Sequence, residues 1–123
     1  MGQIIDGLSQ TMMVGEKYLN ADNYTNGSDA ADDNSDFIGI DRDVNGYAAS
    51  ATASLTNPMP IAQFQPRQDM PGLGLNWTFG SAHSAGFNMA FCDNSVRTIS
   101  YDVDFVVFFQ MGGRNDATPG SVR

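Results

Sequence analysis

The only histidine and the only cysteine of the chain lie close together in GSAHSAGFNMAFCDNSVRTISY, residues 80–101. A Cys–His pair acts as nucleophile and base when the imidazole lies within hydrogen-bond reach of the thiol. Between His83 and Cys92 runs a segment that alternates like a strand, and about nine extended residues cover roughly 30 Å. The spacing therefore argues against a catalytic pair, and it favours a small buried cysteine and a structural histidine.

Calcium is the one metal for which the sequence offers a candidate site. In DRDVNG, residues 41–46, Asp41, Asp43 and Asn45 match the first three oxygen ligands of an EF-hand loop, which turns sharply at a glycine. The twelfth position is Thr52 instead of a bidentate glutamate, and no helix pattern flanks the loop. A solvated acidic loop is the alternative, as is another calcium loop that uses Asp29, Asp32, Asp33 or Asp36. Zinc is not favoured, because one Cys and one His do not complete a set of three or four soft ligands.

Length and composition indicate a single domain over residues 1–123 with a loop-rich chain. Fourteen acidic and six basic residues give a net charge of −8, which argues against binding to nucleic acid or to an anionic membrane surface. No apolar run approaches the roughly 18 residues of a membrane-spanning helix, so we expect no membrane insertion by this chain. A lone cysteine does not assign a redox compartment. Three N-glycosylation acceptor motifs, which matter only after export, begin at Asn23, Asn26 and Asn76.

The regular elements are predicted near the two ends of the chain. A strand is expected over residues 11–14, ended by Gly15, and Glu16 is expected to accept backbone hydrogen bonds as a partly buried side chain. Residues 20–76 form a loop-rich insert, with a surface loop over 20–36 and a short edge strand over 37–40. A helix is predicted over residues 104–111, although the Val and Phe content also suits a strand. Residues 112–123 are expected to form a flexible tail.

The most clearly patterned element is a hairpin in the second half of the chain. Residues 87–92 alternate between apolar and smaller or polar side chains, and residues 96–101 follow as a second strand. A two-residue turn at 93–94 suits Asp and Asn, which tolerate positive φ. That turn places Phe91 opposite Val96 and puts Phe87, Met89, Phe91 and Val96 on one apolar face, with Asn88, Ala90, Arg97 and Ile99 on the other. The fold class expected is α+β, dominated by a small antiparallel sheet.

Two segments together resemble a bacterial family of prepilin-like proteins that is abundant in planctomycetes, the domain of unknown function 1559. The first is DGLSQTMMVGEKYLN, residues 6–20. It resembles an Asp-Gly-Thr-Ser-x-Thr run that leads to Gly-Glu. Gly15 and Glu16 match the end of that motif, and Leu8 replaces its first threonine.

The second segment, residues 79–101, resembles the family's run of a histidine, nine residues, Asp-Gly and then Ser-Val-Arg. His83, nine intervening residues and Asp93 fit that spacing, and Ser95 and Arg97 belong to the Ser-Val-Arg match. Asn94 replaces the usual glycine and still allows a left-handed turn. The resemblance implies that His83 and Asp93 anchor the hairpin, with the imidazole hydrogen-bonded to the turn at 80–81.

The resemblance also implies a function. Members of the family usually begin with a prepilin cleavage site and a long apolar helix, followed by a β-rich head outside the membrane. No enzymatic activity is established for the family. This chain resembles the head alone. We therefore expect a non-enzymatic extracytoplasmic domain, in the cell envelope or outside the cell, that assembles with itself or with other pilin-like subunits into a surface filament or secretion apparatus. The alternatives are a calcium-stabilised extracellular binding domain and, less favoured, a Cys–His enzyme.

Overall fold

Two small sheets and one α-helix make up the regular structure of the residues that the structure describes. The computed structural model describes residues 4–33, 37, 44–48 and 64–113. The strands are β1 (Met12–Gly15), β2 (Arg67–Gln68), β3 (Gly80–Ser81), β4 (Phe87–Phe91) and β5 (Val96–Ile99), and the helix is α1 (Phe105–Gly112). A 3-10 turn lies at Ala21–Asn23.

The larger sheet is antiparallel and has the strand order β1-β4-β5, so that β4 is its central strand. The smaller sheet is the parallel pair β2–β3. The expected fold class, α+β with a small antiparallel sheet, is therefore confirmed. The β2–β3 pair was not predicted, because two residues are too few to show a period-two pattern.

The core lies between one face of β4 and helix α1. Phe87, Met89 and Phe91 are buried at alternate positions of β4, and they pack against Phe108 and Met111 of the helix. The centroids of the Phe87 and Phe108 rings lie 6.1 Å apart in an edge-to-face arrangement, which adds to the gain from area burial. Each of these side chains contributes about 1.5–3 kcal/mol through burial, and this packing fixes which face of the sheet is covered.

Helix α1 begins where an aspartate satisfies its first free amides. The Asp104 carboxylate accepts hydrogen bonds from the Val106 amide at 2.9 Å and the Val107 amide at 3.1 Å, which is the usual role of an N-cap aspartate. The predicted helix is thus confirmed, and Asp104 is its cap. It extends through Gly112, one residue into the segment that the sequence analysis assigned to the tail.

The hairpin turn has three residues, 92–94, instead of the predicted two. The Asn94 amide donates to the Phe91 carbonyl at 3.0 Å, and the Phe91 amide donates to the Ser95 carbonyl at 2.9 Å. Asn94 has a φ of 67°, as expected for the left-handed residue that completes such a loop. Asp93 supports this geometry because its Oδ1 accepts from both the amide and the hydroxyl of Ser95.

The longer turn shifts the pairing by one residue and makes the predicted β5 faces wrong. Ala90 pairs with Val96 and Phe87 with Ile99, so Val96 lies on the outer face of the sheet and Ile99 on the core face. Val96 is accordingly 67% exposed, whereas Ile99 packs against the core. A shift of one residue exchanges the faces of a whole strand.

The loop predicted over 20–36 is anchored more deeply than expected. Asp29 and Ala31 are buried. Of the edge strand predicted over 37–40, only the exposed Phe37 is among the described residues; the other three lie outside them. Within the described part of the chain, no helix is both long enough and apolar enough to cross a membrane.

The left-handed backbone at Asn94 generates a stability prediction. Asn94→Gly should keep the free energy of unfolding within about 0.5 kcal/mol of wild type, because glycine adopts positive φ without strain. Asn94→Val should lower it by about 1–2 kcal/mol, because a β-branched Cβ crowds this conformation. Urea unfolding measures both, with Val96→Thr on extended backbone as the control. Equal stabilities for the glycine and valine variants would contradict the assigned turn.

Candidate functional site

Glu16 is the residue at which the chain passes from one sheet to the other. Its amide donates to the Asn88 carbonyl of β4 at 3.0 Å, while its carbonyl accepts from the Gly80 amide of β3 at 3.1 Å. Two residues later the Tyr18 amide donates to the Thr78 carbonyl at 3.0 Å. The backbone of Glu16 therefore joins β4 on one side to β3 on the other.

The carboxylate of Glu16 replaces a ladder hydrogen bond that this divergence removes. In a continued antiparallel ladder the Asn88 amide would donate to the Glu16 carbonyl, which is already paired with Gly80. It donates instead to Glu16 Oε2 at 2.6 Å, and Asn88 Nδ2 donates to Oε1 at 3.4 Å. The Asn88 amide therefore keeps a hydrogen-bond acceptor at the junction. A charge-assisted bond of this kind is stronger than a neutral one.

His83 lies beside the second oxygen of the same carboxylate. Its Nε2 is 3.5 Å from Glu16 Oε1, which brings the histidine of one predicted motif to the glutamate of the other. The expected imidazole partner, the turn at 80–81, is thus corrected. There the contact is made by the backbone, since the His83 amide donates to Ser81 Oγ at 2.9 Å.

The hydroxyl group of Tyr101 binds the backbone of the loop that carries His83. Its hydroxyl lies 2.7 Å from the His83 carbonyl, 3.0 Å from the Gly86 carbonyl and 3.1 Å from the Ser81 carbonyl. Gly86 also approaches the backbone of Ile99 so closely that a Cβ would lie 2.2 Å from the Ile99 carbonyl oxygen. The loop is therefore held by two contacts, the Glu16 carboxylate at the His83 side chain and the Tyr101 hydroxyl at the loop carbonyls.

The electrostatics of this cluster favour the ionised form of Glu16. Desolvation by burial raises the pKa of the carboxyl group, but the hydrogen bonds from Asn88 and the charge of His83 lower it. The net effect is a pKa below the ordinary value of 4.5. The fold therefore stabilises the ionised form of the Glu16 carboxylate.

Asp93, Ser95 and Arg97, which belong to the second motif of the sequence, form a second cluster at the turn of the hairpin. The Arg97 guanidinium lies 4.0 Å from the centroid of the Phe91 ring, and it contacts Asp93 Oδ2 at 3.8 Å. Its Nη2 donates to the Ser9 carbonyl at 2.5 Å and to Ser95 Oγ at 3.2 Å. Arg97 therefore ties the hairpin to the segment that precedes β1.

The structure does not bring His83 and Cys92 together. His83 contacts Glu16 just past the end of β1, whereas the Cys92 amide donates to the Thr11 carbonyl just before its beginning. The two side chains lie at opposite ends of the same strand. His83 and Asp93 likewise belong to separate clusters, each of which holds one end of the β1–β4 pair.

The candidate calcium ligands are only partly within the described residues. Asp41 and Asp43 lie outside them, and Asn45 is half-buried. Asp29, a ligand of the alternative loop, accepts from the Asn20 amide at 2.6 Å and from the Ala31 amide at 2.9 Å. Among residues 4–33, 37, 44–48 and 64–113, no three His, Cys, Asp or Glu side chains are grouped closely enough to hold a metal ion.

Sequence reasoning identified Glu16 and His83 but missed the residues that complete their site. Asn88 appeared only as an outward position of the alternating strand, and Tyr101 only as the end of the second strand. No local signal marks either role, because both partners come from elements distant in the sequence. The expectation that Glu16 accepts backbone hydrogen bonds is confirmed.

Comparison with known proteins identifies the family. A family model described as a protein of unknown function (DUF1559) matches residues 1–106. The chain belongs to this family. No curated protein and no solved structure matches it. Glu16, His83 and the hairpin turn of this DUF1559 chain all lie within the matched residues.

The Glu16 junction generates a prediction on stability and pH. Glu16→Ala should lower the free energy of unfolding by about 1–3 kcal/mol, because the Asn88 amide loses its acceptor. Glu16→Gln retains an acceptor oxygen and should lose less at pH 7. The pKa of Glu16 is lowered by folding, so its contribution is full above pH 4.5 and is lost as the pH falls through the lower, folded-state pKa.

Urea unfolding between pH 3 and pH 7 measures both effects. The wild-type protein should lose more stability than Glu16→Gln as the pH falls through this range. A matched control is Asp102→Asn, which removes an exposed carboxylate elsewhere. Parallel pH profiles for wild type and Glu16→Gln would show that the carboxylate charge does not stabilise the junction.

Proposed function

We propose that this DUF1559 chain is a non-enzymatic, extracytoplasmic pilin-like head, which serves as a structural or assembly subunit of a surface filament or secretion apparatus. The observation that carries the proposal is the use of Glu16. Its two carboxylate oxygens bind Asn88 and contact His83, so this Glu–His pair holds two sheets and a loop together. Such a junction suits a rigid head that presents surfaces.

The surface of the chain supports a role in assembly. Val14 and Val96 are 64% and 67% exposed and flank Ala90 on the outer face of the sheet. They form an apolar row across all three strands. With a net charge of −8, copies of the chain repel one another at low salt, so contact through this row is opposed by charge and favoured by apolar burial.

The balance between these two terms generates an assembly prediction. Self-association should strengthen with added salt or divalent cations, because the screening length falls to about 10 Å at 0.1 M ionic strength. Sedimentation equilibrium at high protein concentration measures this, with separate sodium chloride and calcium chloride series at matched ionic strength. The dissociation constant should fall several-fold in both series.

Two results of that experiment would change the proposal. A monomer under every condition would contradict the filament role and leave only an isolated head. The calcium-stabilised binding domain would be favoured instead by two results together. Calcium would strengthen association far more than sodium, and it would raise the melting temperature of the wild type but not that of the Asp41→Ala, Asp43→Ala variant.

The proposed location outside the cytoplasm has its own test. Protease added to intact cells should remove the protein, while a cytoplasmic marker enzyme survives. The same protease on lysed cells should remove both, which controls for intrinsic resistance. Protection of this chain in intact cells together with its recovery in the cytosolic fraction would contradict the export proposal.

A further inference from the structure

Strand β5 is an edge strand, and among the described residues no strand pairs with its outer backbone groups. The Phe91 amide donates to the Ser95 carbonyl, and hydrogen-bonded and non-hydrogen-bonded pairs alternate along an antiparallel ladder. The backbone of Arg97 therefore points toward β4. Those of Val96 and Thr98 point away from it, to the open edge of the sheet, and both side chains are exposed.

The opposite edge of the sheet differs, because other parts of the chain flank β1. A groove of about 410 Å³ lies there between β1, the segment 44–48 and the end of α1. Its lining includes Met12, Met13, Tyr47, Ala48, Phe109 and Gly113. The β5 edge thus offers backbone groups and β-branched side chains, whereas the β1 edge offers a pocket.

The one charged residue of β5 does not protect this edge. Sheet edges are commonly blocked by a projecting lysine, a proline or a bulge. The sequence Val96–Ile99 contains neither lysine nor proline, and its register with β4 is regular. Arg97 turns inward over Phe91 and reaches the Ser9 carbonyl, so its charge is directed away from the edge.

We propose that β5 pairs antiparallel with β5 of a second copy of this chain, about a two-fold axis at Arg97. Val96 of each copy then lies beside Thr98 of the other, and their outward amides and carbonyls exchange hydrogen bonds. The three-stranded sheet becomes a continuous six-stranded sheet. The apolar rows of Val14, Ala90 and Val96 lie side by side on its outer face. This names the contact for the assembly proposed above and rests on that proposal.

A second copy fits this edge for two reasons. An antiparallel strand pair satisfies two-fold symmetry by itself, since the same residues face each other on both subunits. The edge Val96–Ile99 also carries no acidic side chain, so the carboxylates behind the charge of −8 do not meet within it. The two Arg97 residues face each other at the axis, but each guanidinium is directed to its own Phe91 ring and Ser9 carbonyl. Pairing of four-residue strands buries less than the roughly 1,200 Å² of a stable complex, so the dimer should be weak and reversible.

Sedimentation equilibrium of the full chain in 1 M sodium chloride tests the proposal. Val96→Lys and Thr98→Pro should each weaken dimerisation roughly tenfold or more. Thr98→Pro removes an outward amide and leaves the ladder to β4 intact. Met70→Lys is the matched control, because Met70 is also exposed, lies away from β5 and changes the net charge equally. Urea unfolding checks that each variant folds.

Hydrogen exchange provides a second readout that folding defects do not imitate. The amides of Val96 and Thr98 should exchange quickly in dilute protein and slow down at high concentration, while the amide of Arg97 is protected throughout. A wild-type chain that never associates would overturn both the assembly role and this contact. Association that Val96→Lys and Thr98→Pro leave unchanged, or unprotected Val96 and Thr98 amides in the dimer, would overturn the β5 contact alone.

Discussion

The hydrogen bond from the Asn88 amide to the Glu16 carboxylate, 2.6 Å long, lies at the point where the two sheets separate. A strand that leaves its neighbour exposes an amide that must find another acceptor, since an unpaired buried amide costs about 1–3 kcal/mol. Glu16 supplies that acceptor from its own side chain while its carbonyl pairs with Gly80. A glutamate at this position therefore allows the chain that leaves β1 to bond to β4 and β3 at the same residue.

The rest of the fold is arranged around this junction. Helix α1 covers the Phe87, Met89 and Phe91 face of β4, and Tyr101 holds the loop 81–86 against the same strand. His83 completes the junction from that loop. The histidine and glutamate are thus placed by packing, and they contribute to the connection between elements that are more than sixty residues apart in the sequence.

The two clusters of matched residues perform comparable work at opposite ends of β1. Glu16 and His83 hold one end, while Arg97, Asp93 and Ser95 hold the other through Ser9 and the hairpin turn. Charged and hydroxyl groups are used here to satisfy backbone atoms where strands end or diverge. Within the described residues, both clusters thus stabilise backbone connections of the fold.

Several features followed from the sequence alone because their causes are local. The alternation of residues 87–92 predicted the buried face of β4, the pattern of residues 104–111 predicted a helix, and the Asp93–Asn94 pair predicted a left-handed turn. The separation of His83 from Cys92 followed from the length of one strand.

Only the tertiary structure decided the rest. The turn contains three residues because Asp93 bonds Ser95 and Asn94 bonds Phe91, and that count moved Val96 outward and Ile99 inward. The pairing of Glu16 with His83 and Asn88 depends on contacts across sixty-seven and seventy-two positions, which no local pattern encodes.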